Sequence, residues 1–229
     1  MSEEPDKTSK RERTKQRNRA VILDAARAVF VEIGYDAATV RDVVARTDLA
    51  PGTFYNYFPD KRSVLLAVVS EWSEECNRRM REARASSQDI TQIVERGFRT
   101  YFEFVANDKT LFELMRRNGS TLRTLGLDDT GFTAGLDDLQ KDLKRAIRSG
   151  LIPPLPLTYM TRAIGAMTFE VGAEMAQREP PDVEGATQFA SEVVLGALSK
   201  LTESAFARAA NTPTPPRPQA KRKGKQRNA

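Results

Sequence analysis

Residues 39–61 read TVRDVVARTDLAPGTFYNYFPDK, and this stretch decides the fold. Thr39 is a good helix N-cap, and Asp42 stands three residues on as the acidic partner of a capping box. Val40, Val43 and Val44 give one apolar face at helical spacing. Thr47-Asp48-Leu49 reads as a turn in which Asp48 tolerates a left-handed backbone. Pro51 suits a first helical position, with its fixed φ and missing N–H. A second helix of two turns is expected over Pro51–Phe58, with Phe54 and Phe58 packed inward. Two short helices joined by a tight turn, the second with an exposed polar side, match a helix-turn-helix.

The flanks extend the pattern. Ile22, Ala25, Ala26, Val29, Phe30 and Ile33 form one stripe on a helix expected at about 14–33, ended by Gly34. Pro59-Asp60 opens a further helix to about Ala85, whose inner face carries Leu65, Val68, Val69, Trp72 and Cys76, the last two read as core. The order of these helices, with Glu32-Ile33-Gly34-Tyr35, Ala38-Thr39, Gly52-Thr53-Phe54-Tyr55, Tyr57-Phe58 and Lys61, resembles the TetR family of bacterial transcription regulators over residues 17–66. Two positions depart from the family pattern: Asp48 stands where Gly is usual, and Ala50 where Ser is usual. Ala50 is a poor cap.

The resemblance implies DNA contacts at matching positions. Thr53 meets base edges or a thymine methyl, and Gly52, behind Pro51, lets the backbone come close. Tyr55 and Tyr57 reach phosphate or sugar, and Thr39, Arg41 and Lys61 sit at helix starts facing phosphate. It also implies an all-α architecture: a three-helix DNA-binding domain, then a helical body that dimerises through its last two helices and holds a small-molecule cavity. The expected organisation is a basic disordered arm (1–16), the helix-turn-helix domain (17–66), a ligand-binding and dimerisation domain (67–210) and a basic disordered tail (211–229).

Helical spacing in the body places helices at about 89–106, 109–117, 132–149, 157–178 and 182–208, with a short one inside 119–131. Phe98, Tyr101, Phe102, Phe112, Met115, Phe132 and Met167 supply large, adaptable apolar groups for a pocket, with plain core as the alternative at each. Arg116 and Arg117 offer partners for an anionic head group; Glu170 and Glu174 offer partners for a cation instead. Gly165, Gly172, Gly185 and Gly196 read as close helix crossings.

Composition bounds the function. Of 229 residues, 40% are apolar and 29% charged, an ordinary globular balance. The net charge of +5 is uneven: residues 1–19 hold seven Lys/Arg against four acids, residues 211–229 hold six against none, so 20–210 is net negative. Such tails concentrate a protein on polyanions without reading sequence. There is no histidine, one cysteine, no phosphate-binding glycine loop, no apolar run of membrane length and no apolar leader. These features argue against an enzyme, a cofactor, a metal or a membrane partner and place the chain in the cytoplasm. The expectation is a homodimeric repressor on a palindromic operator, released by an apolar or amphipathic effector, first of all a long-chain acyl compound. A sequence-nonspecific DNA-compacting protein and an enzyme with a fused DNA-binding head are the alternatives.

Overall fold

The computed structural model describes residues 7–85, 89–119 and 131–210, and every regular element among them is an α-helix. They run α1 (Lys7–Ile33), α2 (Val40–Val44), α3 (Pro51–Tyr55), α4 (Lys61–Ala85), α5 (Ile90–Asn107), α6 (Lys109–Arg117), α7 (Gly131–Arg148), α8 (Leu157–Gln177) and α9 (Val183–Ala210). The short helix expected inside 119–131 and the tail at 211–229 lie outside the described residues.

α1–α3 and the start of α4 close around one core. Ile22, Ala26, Val29 and Phe30 of the α1 stripe are buried with Val43, Phe54, Phe58 and Leu65. Ile33, at the end of the expected stripe, is instead 45% exposed, because Gly34 turns the chain away at φ +82°. The capping box forms as expected: the Thr39 hydroxyl accepts from the Asp42 N–H at 3.2 Å, and the Thr39 N–H donates to the Asp42 carboxylate at 2.8 Å. The Thr39 hydroxyl, which donates to the Asp42 carboxylate at 2.6 Å, and then the Thr39 N–H hold that carboxyl below its ordinary pKa.

Four local expectations change. The arm expected to be disordered is helical from Lys7, in keeping with the good helix formers Lys, Arg, Glu and Gln and the lack of Gly or Pro over residues 7–16. No non-glycine residue among those described has positive φ, so Asp48 does not bend the turn. Thr47 does: its hydroxyl donates to the Val44 carbonyl at 2.9 Å and accepts from the Leu49 N–H at 3.3 Å. α3 stops at Tyr55 instead of Phe58. The Tyr57 and Phe58 N–H groups both fold back onto the Phe54 carbonyl, Phe58 drops into the core, and Pro59 disfavours helix at the residue before it. α4 begins at Lys61, with the Asp60 carboxylate accepting from the Ser63 N–H at 2.7 Å.

A second core joins α5, α6, α7, α8 and α9 around Phe102, Val105, Phe112 and Ala190. Trp72 of α4 and Met115 of α6 pack against both cores. The expected glycine crossings divide. A Cβ on Gly165 would lie 2.5 Å from Leu136 of α7, and one on Gly172 3.1 Å from Tyr101 of α5, so both mark close approaches. Gly185 sits within its own helix cap, facing Asp182, and Gly196 faces open space, so neither is a crossing within the protomer.

Candidate DNA-binding surface and ligand cavity

α3 and its flanks expose some of the expected DNA-contact residues and not others. Tyr55 is 59% exposed, Pro51 and Gly52 are exposed, Thr53 is half-buried, and a Cβ on Gly52 would meet nothing within 4 Å. Thr39 and Arg41 are exposed at the start of α2, although the Thr39 hydroxyl is engaged with Asp42 at 2.6 Å. Tyr57 is half-buried against the core. Lys61 departs most from expectation. Its ammonium donates to the carbonyls of Tyr35 (2.7 Å), Ala38 (2.8 Å) and Asp36 (3.3 Å), and lies 4.4 Å from the centre of the Tyr35 ring. With three donors on three carbonyls, it fastens the α1–α2 connection and has no N–H left for phosphate.

In the body, α4, α5, α7 and α8 line an open-mouthed cavity of about 870 Å³, to which parts of α6 and α9 also contribute. Of the residues expected to line it, Phe98, Tyr101, Phe112 and Met115 do. Phe102 does not: it is fully buried in the core one turn from Phe98. Met167 packs into the same core without reaching the cavity, and the side chain of Phe132 on α7 is outside those described.

The charged expectations fail for a clear reason. Arg116 donates to both Glu113 oxygens, at 2.6 and 2.8 Å, and Arg117 to one at 2.7 Å, so both stay at the surface and hold Glu113 down to about 2. Glu170 and Glu174 are exposed and off the cavity wall. The polar groups that line the cavity come from elsewhere. Arg84 (11% exposed) donates to Asp142 at 2.9 Å across the α4–α7 contact, and Arg145 donates to the same carboxylate at 3.1 Å. Arg162 of α8 lines it with no ion pair among the described residues.

Sequence reading missed the α4 wall. Trp72, Cys76 and Met80 line the cavity, so Trp72 and Cys76 are wall as well as core. Burial pushes the Cys76 thiol up to about 12 and raises the Tyr101 phenol. The i, i+4 spacing of Trp72, Cys76 and Met80 was the available signal. Trp72 leads further. Its indole N–H donates to Asp108, whose carboxylate also takes the Arg27 guanidinium of α1 and caps α6 by accepting from the Leu111 N–H at 3.4 Å. One carboxylate thus joins the cavity wall, the start of α6 and the DNA-binding domain.

A capped α2, a tight turn and a short exposed α3 on a three-helix core define a helix-turn-helix domain. Residues 22–68 match the model of the bacterial regulatory proteins of the tetR family. The likeness to that family therefore rests on the helix-turn-helix domain, about a fifth of the chain. An HTH-type transcriptional regulator of Haemophilus influenzae is 28% identical over 107 residues, 46% of this chain and 52% of that one, so the match spans about half the curated relative's length. The fold is similar to that of the fatty acid degradation regulator FadR of Bacillus halodurans (22% identity, TM-score 0.67, 79% of this chain and 95% of that one). It is similar too to the transcriptional regulator FadR of Bacillus subtilis in complex with stearoyl-CoA (22% identity, TM-score 0.61, 76% and 96%). Among the described residues no helix is long and apolar enough to cross a membrane.

Proposed function

We propose that the protein is a sequence-specific DNA-binding transcription regulator, a repressor that binds a palindromic operator as a dimer and lets go when a small amphipathic molecule fills its cavity. The observation that carries this reading is the cavity of about 870 Å³ whose Trp72 wall is bonded, through Asp108, to Arg27 of the DNA-binding domain. Its size falls within the range of about 300–1,000 Å³ typical of small-molecule sites.

The mechanism is a population shift. An effector that binds more tightly when Trp72 and Phe112 are displaced favours a state in which α6 and α1 have moved, and the two recognition helices no longer match successive half-sites. Thr53 and Tyr55 carry the base and backbone contacts in the DNA-bound state.

A long-chain acyl compound is the first effector to test. The wall is apolar along Trp72, Val94, Phe98 and Leu139, and the stearoyl-CoA complex of a protein of similar fold supports the choice. The anionic end belongs near Arg145 and Arg162 and not at Arg116. Operator binding measured with and without stearoyl-CoA tests the reading. Release of DNA near the concentration that raises the melting temperature is expected; unchanged DNA binding with a saturated cavity would overturn it.

A further inference from the structure

Among the described residues, none from 10 to 17 has a packing or ion-pair partner outside α1. Residues 10–17 are all exposed, and the core begins at Ile22. Residues 7–18 therefore project as a rod roughly 18 Å long. Between Lys7 and Arg19 the sequence holds no apolar side chain, so this rod offers nothing to bury against a protein surface. It does carry six Lys/Arg against the single acid Glu12, a net +5.

Its direction is fixed where it leaves the body. Arg19 is ion-paired with Glu71 of α4 and lies 5.7 Å from the centre of the Phe58 ring, just after the recognition helix. Arg11, Lys15 and Arg19 follow at four-residue steps, on the face that three residues later carries Ile22 into the core. The row thus continues the DNA-binding domain's inner face past its edge, outward from the point where Arg19 meets Phe58. Arg11–Lys15 and Arg13–Arg17 are like-charge pairs at helical spacing, which disfavour the helix until an anion relieves them.

We propose that residues 7–18 form a phosphate-tracking extension, in which Arg11 and Lys15 bind the duplex backbone flanking the site read by α3. It rests on the DNA-binding reading above. The contact adds affinity and footprint length, not sequence choice, because ammonium and guanidinium groups on a solvated rod have no fixed register with base edges.

The test compares full-length wild type with the double variant Arg11→Ala/Lys15→Ala on two labelled duplexes, one selected by the wild type and one of random sequence. Circular dichroism, melting and sedimentation confirm an unchanged body. The slope of log K against log salt is expected to fall by about 1.8 on both duplexes, at about 0.9 per phosphate. Hydroxyl-radical protection should recede at the flanks while the selected sequence stays the same. An unchanged slope, an altered selected sequence or an altered oligomeric state would overturn the proposal. A wild type that selects no sequence would sink the regulator reading, whereas the slope on random duplex still judges the extension.

Discussion

Trp72 donates its indole N–H to Asp108 at 3.1 Å, joining a cavity-wall side chain to a residue that also holds Arg27 of the DNA-binding domain. Arg27→Met removes the α1 arm of this joint and leaves the cavity whole. Stearoyl-CoA binding and unliganded DNA affinity are expected to stay close to wild type. The coupling between them should shrink by about 0.5–2 kcal/mol, the range for residues that join two sites. Titration of DNA at zero and saturating stearoyl-CoA measures it, and an undiminished coupling would remove Arg27 from the account.

Lys61→Met tests the fastening role. Three carbonyls lose a charged donor, which should destabilise the DNA-binding domain by about 1–3 kcal/mol, since bonds to charged groups are the stronger class. The salt slope of DNA binding should be unchanged. Wild-type stability in denaturant with a reduced slope would instead return Lys61 to the phosphate backbone.

How much of this was legible can be judged residue by residue. The Thr39–Asp42 capping box and the buried Ile22, Val29 and Phe30 follow from local chemistry and helical period, and both are there. Phe98 and Phe102 were not separable: both are phenylalanines on one helix, and only the packing of α8 and α9 makes one a cavity wall and the other core. The pairing of Arg116 with Glu113 was legible, since an acid three residues upstream is a ready partner, yet it was read as free charge. The ion pair of Arg84 and Asp142, 58 residues apart, was not legible from any local pattern.

Cys76 reports on the cavity. Burial pushes its thiol up to about 12, so at pH 8 the folded chain holds far fewer thiolates than the unfolded one. Because folding favours the neutral thiol, its contribution to stability is full below about pH 9 and is lost as pH rises towards 12. Iodoacetamide labelling at pH 8 should be slow, should quicken in denaturant, and should slow further with stearoyl-CoA bound. Fast labelling of the folded chain would show that Cys76 is not sequestered.

Gly196→Arg tests the proposed dimer. Gly196 is exposed and a Cβ there meets nothing within 4 Å, so an arginine can reach solvent and the protomer should fold unchanged. Phe189 and Val193, 55% and 43% exposed on the same helix, mark the apolar face that a second copy would cover. The variant should sediment as a monomer and lose operator binding. An intact dimer would put the interface elsewhere.

The central claim is that α3 reads sequence, and the most direct measurement is selection from a random duplex pool. Wild type, Thr53→Ala and Tyr55→Ala are run side by side. The account predicts that wild type enriches a two-fold symmetric site with half-sites about one helical turn (roughly 34–36 Å) apart. Each variant should melt like wild type and bind that site about 1–3 kcal/mol more weakly. Enrichment of no sequence by the wild type, or wild-type affinity in both variants, would contradict it.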